Sequence, residues 1–313
     1  MKALVLAAGR GTRLFPLTLF RAKPAFPFLG RPIIQYSLNT LRKAGVEEVI
    51  INLHHLPDTV RQAVKPFSGV RFSYETEILG TGGAIGKVRD YLADDDFVVC
   101  NGKIYFEDDL RKAFEFHKAS GALVTLVLVP FHQHPHFNPV FVDAKSNIRG
   151  FGPGYQADPN DKPYVFTGVH VLSPQVLSYI PEGASDSVRD IYVPLIREGK
   201  AVKGFISQSY WCEISTPRRY LEKSFEVLKR HNRNVSIVAG ERSTLHPTAT
   251  VHRSIIWDNV RVGERAYLNN VIVADNITIP DSARFENAII TPPVDFDESR
   301  GYRREADFVV WQL

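Results

Sequence analysis

From the amino terminus to about residue 230, short β-branched apolar runs alternate with stretches whose apolar residues recur three and four apart. A continuous apolar run suits a strand covered on both faces, and the three-to-four spacing suits a helix with one buried stripe. The runs predict strands at Ala3–Leu6, Glu48–Asn52, Phe97–Cys100 and Leu123–Val129. Between the first two, Ile34, Leu38 and Leu41 mark a helix, and Gly45 stands where a left-handed C-terminal cap belongs. A second helix, from Asp109 to about Ser120, carries Leu110, Ala113, Phe114 and His117 on one face. A third begins at Thr216, an N-cap residue before Pro217, buries Leu221, Phe225 and Leu228, and ends at about His231. Strands alternating with helices predict an α/β domain over residues 1–231, Rossmann-like, with a mostly parallel sheet and helices on both faces.

Beyond a linker at residues 232–243 the spacing changes to five or six: Leu245, Val251, Trp257, Val262, Leu268, Val273 and Ile279. Small or aliphatic partners follow several of these four residues on, namely Ala249, Ile255, Ala266, Ile272 and Ala283. Helices do not repeat this way. The pattern resembles the hexapeptide repeat of left-handed parallel β-helices, which predicts a short β-helix and C-terminal tail over 244–313; an ordinary β-rich tail is the competing reading. About two coils are few for independent stability, because a solenoid unit buries its face only against a neighbour. The tail is therefore expected to pack on the first domain or on a second copy, making a homo-oligomer through the β-helix an expected partner arrangement. Phe308–Trp311, too apolar for solvent, should add an edge strand.

Size and composition narrow the class. A chain of 313 residues with 44% hydrophobic content can bury a sizeable core. Its net charge of +4 is spread along the chain, without a basic tract or aromatic–basic alternation, which argues against nucleic acid. The first apolar run ends at Gly9 and meets arginines, unlike a secretion signal, and no segment approaches membrane-spanning length. Cys100 and Cys212 give no disulfide framework and fit two buried thiols in a reducing cytoplasm.

The chemistry is concentrated where the first strand ends. Ala3–Leu6 flows into Ala7-Ala8-Gly9-Arg10-Gly11-Thr12-Arg13-Leu14, and Lys23-Pro24 follows. Gly9 and Gly11 leave backbone amides open to an anion, and Arg13 and Lys23 add positive charge, so the loop reads as phosphate-handling. Leu14 replaces the third glycine of a dinucleotide fingerprint, and no P-loop glycine-lysine-Ser/Thr run is present. What remains, Leu6-Ala-Ala-Gly-Arg-Gly-Thr-Arg-Leu14 followed by Lys23-Pro24, closely resembles the signature of the sugar-1-phosphate nucleotidyltransferases. Within that family the combination with a short β-helical tail most resembles mannose-1-phosphate guanylyltransferases and related uridylyltransferases.

The resemblance implies roles for further residues. Glu77-Ile-Leu-Gly80-Thr81-Gly82-Gly83 resembles the family's second nucleotide-contacting segment, whose glycines would let the backbone approach a base. By the same resemblance Leu6, Ala8, Gly9, Gly11 and Thr12 would cradle the triphosphate, and Gly80 to Gly83, with Glu77, Asn101 and Gly102, would hold the nucleoside. Arg13 would meet the leaving pyrophosphate, and Lys23 the sugar phosphate and α-phosphate. Phe137-Asn138 and Phe166-Thr167-Gly168 fall where the family meets sugar, making Asn138, Thr167 and Gly168 the sugar-site candidates. Asp161-Lys162-Pro163 is the nearest string to the family's Glu-Lys-Pro sugar clamp.

One departure changes the expected chemistry. In Asn101-Gly102-Lys103 the lysine occupies the position of the family's Mg²⁺-binding aspartate, and Trp211-Cys212-Glu213 supplies glutamate for the second. An ammonium donates only and cannot ligate Mg²⁺. Three readings stay open. Lys103 supplies the cation's charge itself; or Glu213, helped by Glu107, Asp108 and Asp109, holds Mg²⁺ in a shifted position; or the protein binds nucleotide sugars without turning them over. Such an acidic trio otherwise solvates a helix start. His132, His134 and His136 alternate but lie beside Pro135, as in a polar loop, and His54-His55 ends a strand. The expected activity is nucleotidyl transfer between a nucleoside triphosphate and a sugar-1-phosphate; the alternative is a non-catalytic nucleotide-sugar sensor or regulatory subunit.

Overall fold

The structure, a computed structural model, describes residues 1–233, 235–294 and 301–313; Asn234 of the expected linker and residues 295–300 of the expected tail lie outside the described residues. The backbone divides into two compact units, residues 1–9 with 34–213 and residues 10–33 with 214–313.

In the first unit β1 (Lys2–Leu6), β2 (Glu48–Leu53), β3 (Val70–Tyr74) and β4 (Phe97–Asn101) run parallel in the order β4-β1-β2-β3. Ala3, Leu4 and Val5 of β1 are buried on both faces, as their unbroken apolar run requires. Helix α1 (Ile34–Lys43) lies between β1 and β2 in the chain, buries Ile34, Leu38 and Leu41, and is followed by Gly45 at φ +83°. Helices α2 (Pro57–Val64), α3 (Gly80–Lys87) and α4 (Leu110–Ser120) follow, and the Asp109 carboxylate caps α4 by accepting from Arg111 N at 3.1 Å. The face of α4 expected to be buried is buried.

Beyond β4 come β5 (Ile104–Phe106), β6 (Val124–Pro130), β7 (Val140–Val142), β8 (Ile148–Phe151), β9 (Lys162–Leu172), β10 (Val202–Ile206) and β11 (Trp211–Glu213). Strand β9 runs antiparallel to β4, β6 and β7, while β10 is parallel to β6. The α/β class with a mainly parallel sheet holds, and the antiparallel strands around β9 extend it on one side.

The second unit starts with residues 10–33 and continues through α5 (Pro217–Arg230), whose N-cap Thr216 accepts from Arg219 N at 3.2 Å. Its buried stripe is Tyr220, Leu221, Ser224, Val227 and Leu228. Phe225, expected in that stripe, is half-buried, with the Arg253 guanidinium 5.8 Å from its ring.

The tail winds as parallel ladders that set Thr244 beside Arg261, Arg261 beside Thr278, Tyr267 beside Arg284, and Ile272 beside Ile289. This is the hexapeptide architecture the spacing predicts, and its pairing begins at Ile237. Trp257, Val262, Leu268, Val273 and Ile279 are buried, whereas Leu245 and Val251 in the first coil are half-buried. Corners fall at left-handed residues in three series: Arg242, Asn259 and Asn276; Arg253, Asn270 and Asn287; Arg265 and Ser282. Asparagine tolerates that conformation, and here its amide also links successive coils, Asn259 to Asn276 at 3.0 Å and Asn270 to Asn287 at 3.2 Å. Val309–Gln312 is not an edge strand: it lies between Arg284–Thr291 and Tyr302–Arg304, and the latter forms the edge. Trp311 of this strand packs edge-to-face on Phe15 at 5.1 Å.

Besides the Phe15–Trp311 contact, residues 10–33 meet these coils through the Arg21 cation and an aromatic cluster around Phe26. Arg21 Nε donates to Asp275 Oδ2 at 2.6 Å, and its Nη2 bonds both Asp258 and Asp275, carboxylates on successive coils. Burial opposes the Arg21 charge, but the bonds to Asp275 and Asp258 hold its pKa above the ordinary value. Burial pushes the Asp275 carboxyl up, against the pull of the Arg21 bonds. Phe26 packs on Trp257 at 5.0 Å and Tyr220 at 5.5 Å, and the Tyr220 hydroxyl donates to Pro27 O.

Candidate active site

Strands β1, β2 and β4 are parallel and adjacent, so their carboxyl ends share one edge of the first unit. Open α/β sheets bind ligands outside such an edge. There Ala7 N donates to Asn52 Oδ1 at 2.6 Å, Asn52 Nδ2 to Glu75 Oε1 at 2.7 Å, and Leu79 N to Glu75 Oε2 at 3.0 Å. Both oxygens of this carboxylate, 1% exposed, are therefore satisfied. Glu75 fixes the start of both glycine-containing segments. Glu77, the acidic residue singled out from the sequence, is exposed. The missed signal was a polar Asn52 closing an otherwise apolar strand, with an acid available to meet it.

The second glycine segment opens α3. Gly82 N and Gly83 N donate to Ser185 O at 2.8 and 3.3 Å, and a Cβ on Gly83 would lie 2.3 Å from Gly183 O. Gly80, at φ +71°, would bring a Cβ within 2.5 Å of Ser185 O. These glycines thus admit the 183–185 backbone, a packing reason for their missing side chains. Thr81 adds to it, its hydroxyl accepting from Ser187 N at 2.8 Å. Gly83→Ala is expected to lose about 1–3 kcal/mol of stability through overpacking. A urea midpoint equal to wild type would show that residues 183–185 yield freely.

At the end of β4, Gly102 N donates to Leu6 O at 3.0 Å, which ties the β4 turn to β1. Gly168, at φ +85°, faces the Asn101 side chain so closely that a Cβ would lie 2.0 Å from Asn101 Nδ2. Thr167 is buried, its hydroxyl donating to Val127 O at 2.8 Å and its carbonyl accepting from Trp211 Nε1 at 3.0 Å. Asn138 is exposed. His134 is buried 5.1 Å from the Trp211 ring, while His132 and His136 are exposed, so the histidine triplet divides between an aromatic cluster and surface. Among the described residues no group of three or more His, Cys, Asp or Glu side chains is placed to hold a metal ion. Burial pushes the Cys100 thiol up to about 12, and Cys212 is also buried.

Lys103 Nζ lies 3.5 Å from Glu213 Oε1. The two meet because β5 and β11 pair antiparallel with Ile104 opposite Glu213. The acidic trio is engaged at the helix start: Glu107 accepts from Tyr105 OH at 2.9 Å, Asp108 from Asp109 N at 2.8 Å, and Asp109 caps α4. The family generally uses a divalent metal. These residues do not fit a protein-held one: the expected ligand Glu213 is charge-paired with an ammonium that has no lone pair to offer.

In the second unit Gly11 adopts φ +63°, and a Cβ there would meet Thr18 Cγ2 at 3.1 Å. Arg10, Thr12 and Arg13 are exposed, and Lys23 is 6% exposed. Among the described residues no backbone carbonyl accepts from the amides of Gly9, Arg10 or Gly11.

Two family patterns cover the chain, Nucleotidyl transferase over residues 2–230 and the GlmU-like C-terminal hexapeptide over residues 230–300. The chain belongs to the nucleotidyl transferase family. A mannose-1-phosphate guanylyltransferase of Mycobacterium tuberculosis is 32% identical over 233 residues, which is 72% of this chain but 64% of that enzyme, slightly under two thirds of its length. A UTP–glucose-1-phosphate uridylyltransferase of Synechocystis is 27% identical over 290 residues, 87% of this chain and 74% of that one. The crystal structure of HddC from Yersinia pseudotuberculosis shares the nucleotidyl transferase fold, with a TM-score of 0.60 at 23% identity over 72% of this chain and 99% of that one. No helix among the described residues is long and apolar enough to cross a membrane.

Proposed function

We propose that the protein is an enzyme, a sugar-1-phosphate nucleotidyltransferase. A sugar-phosphate oxygen attacks the α-phosphorus of a nucleoside triphosphate; the new P–O bond forms as the bond to the bridging oxygen breaks, and pyrophosphate leaves in line. The observation that carries this reading is the loop after β1, where glycine amides without backbone acceptors among the described residues stand in one sequence with Arg13 and Lys23. Such chemistry needs positioning and charge neutralisation more than covalent participation. Arg13 is assigned to the departing pyrophosphate and Lys23 to the α- and sugar phosphates. Gly9, Gly11 and Thr12, with Leu6 and Ala8, are assigned to the triphosphate. Gly80 to Gly83, Asn101 and Gly102 are assigned to the nucleoside, and Asn138, Thr167 and Gly168 to the sugar. Two buried thiols outside any disulfide suit a cytoplasmic setting, and the hexapeptide tail is the surface assigned to self-association.

The names of the relatives direct the first assay: GTP with mannose-1-phosphate and UTP with glucose-1-phosphate, then every other pairing of common triphosphates and sugar-1-phosphates, with release of pyrophosphate followed. Release with one pair is the expected result. The Lys103–Glu213 ion pair favours a second reading, a nucleotide-sugar sensor. Tight binding of GDP-mannose or UDP-glucose with no release from any pair would establish it in place of the first.

A further inference from the structure

Lys103 and Glu213 are held by backbone, not merely near one another in a flexible surface. The amide of Gly102 is tied to Leu6 O, so the residue after it emerges beside the carboxyl end of β1. Glu213 ends a strand locked to β5 by register and, through the Trp211 indole, to Thr167 O, and its side chain is 11% exposed. The Lys103 side chain is 33% exposed, so it reaches solvent from a fixed base. An ammonium carries three N–H donors in a tripod, and one held on a single side by a carboxylate still presents donors to a second anion.

Charge balance agrees with this geometry. A divalent ion held by an aspartate and a glutamate has no net charge, and the Lys103–Glu213 pair has the same net charge without the ion. We infer that Lys103 Nζ, aimed by Glu213, is the cation that meets the diphosphate of a nucleotide sugar here, so that binding requires no divalent ion held by the protein. This rests on the nucleotide-sugar reading above, and it assigns Lys103 as a binding residue that makes the site independent of metal.

Titration calorimetry of the full chain with GDP-mannose and with UDP-glucose, in excess magnesium and again in excess EDTA, tests it. Wild type is expected to bind one probe equally in both buffers. Lys103→Met should weaken that binding about ten-fold or more in both, the scale of one charge-assisted contact. Lys103→Asp should bind poorly in EDTA and recover with magnesium, and magnesium alone should raise its melting temperature while leaving that of wild type unchanged. Binding by wild type that disappears in EDTA, or a folded Lys103→Met that binds as tightly as wild type, overturns the lysine assignment and leaves the nucleotide-sugar reading standing. Failure of wild type to bind either probe in either buffer removes that reading, and the inference with it. Should Lys103→Asp not fold, the Lys103→Met and EDTA results decide alone.

Discussion

Arg21→Met is expected to lower stability by about 3–5 kcal/mol, because it leaves two partly buried carboxylates, Asp258 and Asp275, facing each other without their cation. The Arg21 guanidinium also lies 5.1 Å from the Trp257 ring centroid, so the loss includes a cation–π contact besides the two ion pairs, while methionine keeps a side chain of similar length. The pH dependence gives an independent check. In wild type the Asp275 carboxyl already lies above its usual range through burial, opposed by Arg21. Without Arg21 it should rise further, and the folded state then binds protons that the unfolded chain has released. Stability of the variant should therefore fall as pH rises from the ordinary carboxylate range through the raised value of the folded state, and the gap to wild type should narrow as pH is lowered back across that window. Urea melts at several pH values measure both effects; a gap under about 1 kcal/mol, typical of an exposed pair, would refute the clamp.

Lys23→Met is expected to cut kcat/KM for pyrophosphate release by about 10²–10³-fold, the scale seen when a preorganised group facing developing charge is removed. Lys23 is 6% exposed, and its stem runs against Gly11, 3.4 Å from where a Cβ on that glycine would lie. Methionine preserves that stem, so the melting temperature should move far less than the rate. A variant with wild-type kcat/KM would remove Lys23 from the chemistry, and one that loses rate only in proportion to lost fold would make it a packing residue.

The α/β class, α1, α4, α5 and the hexapeptide tail were legible because apolar spacing records which face of an element is covered. Strands β7 to β11 were not, since no comparable run announces Val140–Val142 or Ile148–Phe151. At the site, Gly80 to Gly83 were visible as glycines, but a missing Cβ does not say what fills the space; here Ser185 and Gly183 do. The structural role of Glu75 was not legible beside Glu77, because burial, not residue type, separates two acids two positions apart. Conversely, Lys103 and Glu213 could be paired from motif position alone, and the β5–β11 ladder supplies the reason they meet. The coil corners carried a signal that went unread, Asp-Asn at both 258–259 and 275–276.

Arg21 and Phe26 find their partners in Asp258, Asp275 and Trp257, well past residue 230, where the nucleotidyl transferase pattern ends. A gene trimmed at that boundary would encode a polypeptide with a stranded guanidinium and an uncovered aromatic face, and it would be harvested from inclusion bodies, not as an autonomous catalytic module.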